Sequence, residues 1–189
     1  FRVFSVVAPK GSIVNPIDPA PLGLTINSAQ RLPDVIFGAL AKVTEERVVA
    51  GCNSTCQTTV FTRSDPMNGT VICHEAIAGG SGASKYADGL SAVQVHMTNT
   101  SNMPIEALET EFPIITVQKY MLRTDSGGPG KYRGGLGIHR EFMVMEEGVQ
   151  LKATGDRQKF APYGLEGGKE GAMGAFYRRM NGVETRMPS

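Results

Sequence analysis

The chain has 189 residues, 41% hydrophobic and 20% charged, which is ordinary for a soluble globular domain with a core. The chain has 19 basic residues (Lys and Arg) and 18 acidic residues (Asp and Glu), which gives a net charge of +1. This balance argues against nucleic acid or an anionic membrane as the main partner. No apolar run reaches the roughly 20 residues of a membrane span. Three cysteines cannot all pair in disulfides within the chain, so we expect a reducing, cytoplasmic setting.

The first 44 residues predict a strand, a stiff connector and a helix. Apolar and β-branched residues at 2–8 favour a strand, and the proline-rich stretch 9–23 is typical of an extended connector. Apolar side chains then recur at helical spacing from Leu32 to Val43, and Pro33 suits a first helical turn. This pattern predicts one principal helix near residues 29–44.

The rest of the chain predicts many short strands, at 58–62, 70–77, 91–97, 114–122, 141–145 and 149–154. Turns are expected at 65–69, at Glu146-Glu147-Gly148 between the last two strands, and in a hairpin at Asn181-Gly182. Residues 105–111 indicate one or two helical turns. Together with the 23 glycines, these predicted elements indicate an α+β fold of mainly antiparallel β-sheet with glycine-rich loops.

The stretch RTDSGGPGKYRGGLG, residues 123–137, contains the pentapeptide that surrounds the nucleophilic serine of trypsin-like proteases. No histidine lies in the sequence setting that such proteases use, and the cysteine pairs and tryptophan of that fold are missing. The stretch also does not match the phosphate-binding loop pattern, because Asp125 stands where the pattern requires glycine and Tyr132 where it requires serine or threonine. We therefore expect a tight turn whose glycines admit another backbone or a ligand.

The cysteines and histidines offer a second candidate site. Cys52, Cys56, Cys73 and His74 are zinc-capable, but adjacent strand residues point to opposite faces, so Cys73 and His74 cannot easily share an ion. Buried free thiols are the favoured interpretation, with no metal site assigned. The histidines are interpreted as packed or exposed residues more than as bases, and no catalytic residue is assigned.

Polar residues set among glycines are the candidates for binding a substrate: Asn99, Thr100, Glu106, Glu109, Lys131 and Arg133. A helical turn would bring Glu106 and Glu109 to one face, where they can hold a cation or act as a base. The favoured alternative is that Glu106 caps the backbone and Glu109 is solvated. Lys131 and Arg133 can bind a carboxylate or phosphate, or form ordinary surface ion pairs.

Five blocks of sequence, taken together and in order, resemble the hydantoinase B/5-oxoprolinase B-type family. They are APKGSIVNPIDPAP (8–21), RLPDVIFGAL (31–40), GGSGASKYADGLSAVQVHMTNTSNMPIEALE (79–109), LRTDSGGPGKYRGGLGIHREF (122–142) and GDRQKFAPYGLEGGKEG (155–171). The HMTNTSNMPIEALE segment is closer to the hydantoinase and oxoprolinase branch than to the carboxylases of this family.

The resemblance implies a B-type hydrolytic subunit of an ATP-dependent cyclic amidase, which opens the ring of hydantoin, N-methylhydantoin or 5-oxoproline. It implies an A-type partner subunit or domain that binds ATP and phosphorylates the substrate. ATP and a divalent metal are implied for the intact complex. No cofactor is implied for this chain, because the metal-binding His and Asp residues of the family lie in its N-terminal half.

The same resemblance sets our expectation for domain organisation. Residues 1–189 are expected to form one domain of a longer polypeptide, without its N-terminal metal-binding half and its extreme C-terminus, and to be inactive in isolation. Two alternatives stay open. The chain can be a segment of the alpha-type subunit of an acetone- or acetophenone-type ATP-dependent carboxylase, or a non-catalytic scaffold segment for subunit assembly.

Overall fold

A computed structural model describes residues 5–23, 25–67, 69–94, 96–98 and 103–188 of the chain. Within these residues, two α-helices and seven strands in three antiparallel sheets confirm the predicted α+β class. The elements are α1 (Thr25–Leu40), β1 (Gln57–Asp65), β2 (Gly69–Ile77), α2 (Ile105–Glu111), β3 (Ile115–Leu122), β4 (Ile138–Val144), β5 (Gln150–Thr154), β6 (Tyr177–Met180) and β7 (Val183–Arg186). Neither helix has the length and apolar character needed to cross a membrane.

Helix α1 is the predicted principal helix, but it begins and ends four residues earlier than predicted. Its buried side chains are polar, Gln30 and Asp34, which are four residues apart and therefore share one face. The apolar stripe that predicted the helix is exposed, with Val35 at 61% and Val43 at 85%. Polar contacts of this face therefore hold α1 against the rest of the described chain.

The first sheet has the strand order β2-β1-β5. The predicted hairpin of β1 and β2 is confirmed, and its register places Asp65 opposite Gly69. The predicted hairpin through Glu146-Glu147-Gly148 is wrong: β4 pairs with β3, and β5 crosses to the free edge of β1, where Thr58 lies opposite Thr154. An open strand edge carries unpaired main-chain groups, and β5 satisfies those of β1.

The predicted strand at 91–97 is also wrong. In the described part of that segment, Val93 forms an isolated bridge with Gly79, while Ala92 and His96 have φ values of 55° and 57°, which a strand does not accommodate. Of the predicted strand at 2–8, residues 2–4 lie outside the described residues and residues 5–8 are irregular. The hairpin at Asn181-Gly182 is confirmed as β6–β7.

The hydrophobic core lies between the first sheet, α2 and the β3–β4 sheet. Its buried members are Phe61, Cys73, Leu108, Ile114 and Ile115. The ring of Phe61 meets that of Phe142 edge-on, with centroids 5.1 Å apart. The predicted helical turns at 105–111 are confirmed as α2, whose buried Leu108 joins this core.

Candidate functional site

A buried polar cluster joins three segments that are distant in sequence. Asp34 comes from the inner face of α1, Cys52 from the segment before β1, and His96 from the loop that precedes α2. The Sγ atom of Cys52 lies 3.2 Å from Nε2 of His96 and 3.6 Å from Oδ1 of Asp34. Nε2 of His96 lies 3.6 Å from the same Oδ1, so the three atoms form a closed triangle.

The second carboxylate oxygen of Asp34 is held by a ring of donors. Its Oδ2 accepts hydrogen bonds from Oγ of Ser54 at 2.5 Å and from Nη1 of Arg31 at 3.1 Å. Nη2 of Arg157 also donates to Oδ2 in a buried ion pair. The carboxylate is therefore oriented, with Oδ1 left to face the thiol and the imidazole.

The backbone around this cluster is strained. Ser54, His96 and Arg157 have φ values of 67°, 57° and 59°, in the left-handed region that non-glycine residues rarely adopt. Such conformations cost on the order of 1–3 kcal/mol each and concentrate at functional sites. Here Oε1 of Gln30 accepts a hydrogen bond from the main-chain N–H of Met97 at 3.1 Å, which helps to hold the neighbouring His96.

The thiol of Cys52 does not have the lowered pKa of a nucleophile. Burial, and then the negative charge of Asp34, raise the pKa of Cys52 to about 11, so the metal-free thiol is neutral near pH 7. Reactive cysteines instead have a lowered pKa. The histidine also uses one nitrogen towards both neighbours, whereas a catalytic relay uses the two different ring nitrogens.

A cleft of about 1800 Å³ adjoins the cluster. Cys52, Arg157 and Tyr163 line it, together with glycine-rich loops at 79–82, 127–137 and 164–171. These loops pack backbone against backbone, because a Cβ added at Gly135 would lie 1.9 Å from the carbonyl oxygen of Leu90. The expected close approach of another backbone at this loop is therefore confirmed.

The protease-like pentapeptide serves as a turn. Oγ of Ser126 donates to the carbonyl oxygen of Arg123 at 2.7 Å and accepts from the N–H of Gly137 at 2.8 Å. Asp125 begins this turn in the left-handed region, with a φ of 56°. The hydroxyl of Ser126 is thus used within the loop, and the hydrolase-nucleophile interpretation has no support.

Of the predicted substrate-binding residues, Lys131 lies at the cleft. It is exposed, and its Nζ sits 5.4 Å from the ring centroid of Tyr132. Arg133 is exposed and does not line the cleft, although its main-chain N–H donates to Oδ1 of Asp88 at 2.8 Å. The two basic residues of the loop are therefore placed differently.

The two predicted glutamates lie on α2, outside the lining of the cleft. Glu106 is exposed, while Oε1 of Glu109 accepts a hydrogen bond from the N–H of Val117 at 2.7 Å and ties α2 to β3. Asn99 and Thr100 lie outside the described residues. The predicted grouping of these polar residues around a substrate stays a prediction.

Sequence reasoning missed the Asp34–Cys52–His96 cluster. It grouped Cys52 with Cys56, Cys73 and His74, but Cys73 is in the hydrophobic core and His74 is exposed on the opposite face of β2. One feature of the sequence could have indicated the cluster. Gln30 and Asp34 are two polar residues four positions apart, and they lie on the face of α1 opposite its apolar stripe.

Three comparisons relate the chain to known proteins. The model of the Hydantoinase B/oxoprolinase family matches residues 1–189. The chain is 36% identical to the B-type subunit of a putative D-/L-hydantoinase from a Pseudomonas species, with 95% of this chain and 30% of that protein aligned. It is 36% identical to a 5-oxoprolinase of Dictyostelium discoideum, with 89% of this chain and 12% of that protein aligned.

A solved structure has the same fold over most of the chain. It is acetone carboxylase in its nucleotide-free state, with a TM-score of 0.59 and 24% identity over 73% of this chain and 18% of that one. The chain thus spans about 30% or less of the length of these known proteins. At this level of identity, the likeness concerns the fold.

Proposed function

Because the chain belongs to the hydantoinase B/oxoprolinase family, we propose that it is part of the B-type hydrolytic subunit of an ATP-dependent cyclic amidase. The observation that supports this proposal is the similarity along nearly the whole chain to a B-type hydantoinase subunit and a 5-oxoprolinase. The proposed substrates are hydantoin, N-methylhydantoin or 5-oxoproline, and the proposed partner is an A-type subunit or domain that binds ATP.

The proposed substrate site is the glycine-lined cleft. Several main-chain groups of these loops bond to one another, such as the N–H of Gly135 to the carbonyl oxygen of Ser81. The carbonyl and N–H of a cyclic amide would pair with the polar groups that remain exposed on the lining of the cleft. The exposed Lys131 at the cleft supplies a positive charge for a carboxylate or phosphate group. This charge suits the carboxylate of 5-oxoproline, or the phosphate that ATP adds to any of the three rings.

Ring opening adds water to a ring carbonyl carbon and breaks the C–N bond, leaving a carboxylate and a nitrogen that takes up a proton. This nitrogen becomes an amine in the case of 5-oxoproline and part of a carbamoyl group in the case of a hydantoin. Phosphorylation of the carbonyl oxygen by ATP, with release of ADP, makes that carbon more electrophilic, and inorganic phosphate leaves after water has added. Hydrogen-bond donors must stabilise the negative charge that develops. The divalent ion implied for the intact complex would supply Lewis-acid polarisation of the carbonyl.

The test is to produce the complete polypeptide that carries this chain together with an A-type partner. We expect ADP release that depends on hydantoin, N-methylhydantoin or 5-oxoproline, with ring-opened product formed in proportion. ATP consumption that requires a ketone and bicarbonate would instead support a carboxylase. Assembly of the complex without any turnover would support the scaffold alternative.

The role of Lys131 has its own test in the same complex. Lys131→Ala should raise KM for an anionic substrate about 10-fold or more, the loss of about 1.4 kcal/mol of binding, with a smaller change in kcat. Lys152→Ala is the matched control, because Lys152 is exposed on β5 and does not line the cleft. Equal effects of the two substitutions would remove Lys131 from the substrate site.

A further inference from the structure

We propose that Asp34, Cys52 and His96 form a binding site for a zinc-like divalent metal ion. The ligands are one carboxylate oxygen, one thiolate sulfur and one imidazole nitrogen. The proposal concerns metal binding by this chain, and it stands independently of the cyclic amidase function.

The distances between the three ligand atoms suit one small ion. Zinc takes sulfur at about 2.3 Å and nitrogen or oxygen at about 2.0–2.2 Å, so tetrahedral ligand atoms lie roughly 3.3–3.6 Å from one another. The Sγ–Nε2 distance is 3.2 Å, and Oδ1 lies 3.6 Å from each of the other two atoms. An ion can therefore reach all three atoms with little movement of the side chains.

The way in which His96 faces its neighbours favours an ion over a hydrogen-bond relay. Its Nε2 points towards both Sγ of Cys52 and Oδ1 of Asp34. A single N–H cannot align well with two acceptors at once, since hydrogen bonds weaken steeply away from linearity. A cation placed between the three atoms satisfies all of them.

The surroundings of the cluster resemble the outer shell of a metal site. Oδ2 of Asp34 is occupied by Arg31, Arg157 and Ser54, which leaves Oδ1 as a monodentate ligand. The main-chain N–H of Ser54 also donates to Sγ of Cys52 at 3.3 Å, a contact that stabilises a thiolate. These groups hold the ligands in place before an ion binds.

The local charges are compatible with a dication. Arg31 is paired with Asp156 at 2.5 Å as well as with Asp34, so its charge is shared with an acid outside the triangle. Arg157 then faces the negative charges of Asp34 and the thiolate that forms when the ion displaces the thiol proton. The four charged side chains sum to zero before the ion arrives, and loss of the thiol proton on binding makes the site negative by one charge, so the dication meets no net positive charge.

The donor types select the class of metal. Mg²⁺ and Ca²⁺ require oxygen ligands, whereas a thiolate and an imidazole favour Zn²⁺ or a chemically similar ion such as Co²⁺. Co²⁺ is therefore the probe for the experiment, because a cobalt–thiolate bond gives a charge-transfer band in the near ultraviolet. A site built only from His and Asp elsewhere in the polypeptide gives no such band.

The experiment titrates Co²⁺ into the complete polypeptide after treatment with a chelator. We expect a thiolate-to-cobalt band that saturates at one ion per chain and is removed by Zn²⁺. Cys52→Ser should abolish the band, whereas Cys56→Ser and Cys73→Ala should retain it. A missing band in the wild type, or one that persists in Cys52→Ser, would overturn the proposal.

A second variant separates ligation from folding. His96→Gln keeps the thiol but removes a ligand, and should weaken cobalt binding more than about 100-fold, beyond the 10–100-fold typical of outer-shell substitutions. Its far-ultraviolet circular dichroism should match the wild type. Unchanged cobalt affinity in a folded His96→Gln variant would also contradict the site, whether or not the complex opens cyclic amides.

Discussion

Arg157 and Asp34 form a buried ion pair although 123 residues separate them in the chain. Their side chains are 8% and 4% exposed. Nε of Arg157 also donates to the carbonyl oxygen of Cys52 at 2.9 Å, so one guanidinium joins α1, the segment before β1 and the loop after β5. This residue therefore holds together two of the three segments that build the buried cluster, those of Asp34 and Cys52.

Replacement of Arg157 should therefore be costly. Arg157→Gln leaves the Asp34 carboxylate buried with less compensation, and removal of one partner of a buried pair typically costs about 3–5 kcal/mol in the free energy of unfolding. Urea unfolding of the complete polypeptide measures the loss. Arg179→Gln is the control, because Arg179 pairs at the surface with Glu184 and Glu141, and its loss should change the unfolding midpoint far less.

A second buried pair should couple the two main sheets. The side chains of Glu75 in β2 and Arg140 in β4 are 5% and 1% exposed, and the guanidinium carbon of Arg140 lies 4.5 Å from the ring centroid of Tyr120. Burial raises the pKa of Glu75, and Arg140 opposes that shift. Each single substitution, Glu75→Leu or Arg140→Met, leaves a lone buried charge and should cost about 3–5 kcal/mol.

The double variant of this pair should be less damaging than the sum of the two single variants, because it removes both charges together. A double-mutant cycle on urea-unfolding free energies measures the coupling. Strict additivity of the two losses would show that the contact between Glu75 and Arg140 contributes little to stability.

The glycine-rich loops give a steric prediction. Gly135→Ala would place a methyl carbon 1.9 Å from the carbonyl oxygen of Leu90, and backbone must move to relieve that contact. We expect loss of soluble folded protein or a destabilisation of several kcal/mol, at the upper end of single substitutions. Gly23→Ala is the matched control, since nothing lies within 4 Å of its added carbon. Equal thermal midpoints for the two variants would contradict the packing described for these loops.

The buried thiols give a pH prediction for the metal-free protein. Burial is the main cause that raises the pKa of Cys52 and of Cys73 from 9.0 to about 11, with nearby carboxylates adding to it. Between these values the unfolded chain loses thiol protons before the folded chain does, so stability should fall as pH rises from about 9 to about 11 and then level off.

This dependence is measured by urea unfolding from pH 8 to pH 11 with a chelator present. A Cys52→Ala, Cys73→Ala double variant should show a flatter profile, although its stability is lower throughout because Cys73 packs in the core. If the free energy of unfolding of that variant falls with pH as steeply as that of the wild type, groups other than these two thiols cause the loss of stability at alkaline pH.

Local patterns predicted elements whose partners are close in sequence. The alternation on both sides of the turn at 65–69 predicted β1 and β2, and Asn181-Gly182 predicted the last hairpin, because a tight turn determines which strands meet. The same logic failed for β4 and β5. A turn signal at Gly148 does not reveal that each flanking strand has a better partner farther away.

The sequence by itself determined the α+β class, the principal helix and, through its ordered blocks, the resemblance to the family. These depend on composition, periodicity and short motifs. The tertiary structure decided which face of α1 is covered and which cysteine meets a histidine. Long-range packing brings Asp34, Cys52 and His96 together, and the buried guanidinium of Arg157 holds the first two. No local spacing encodes that contact.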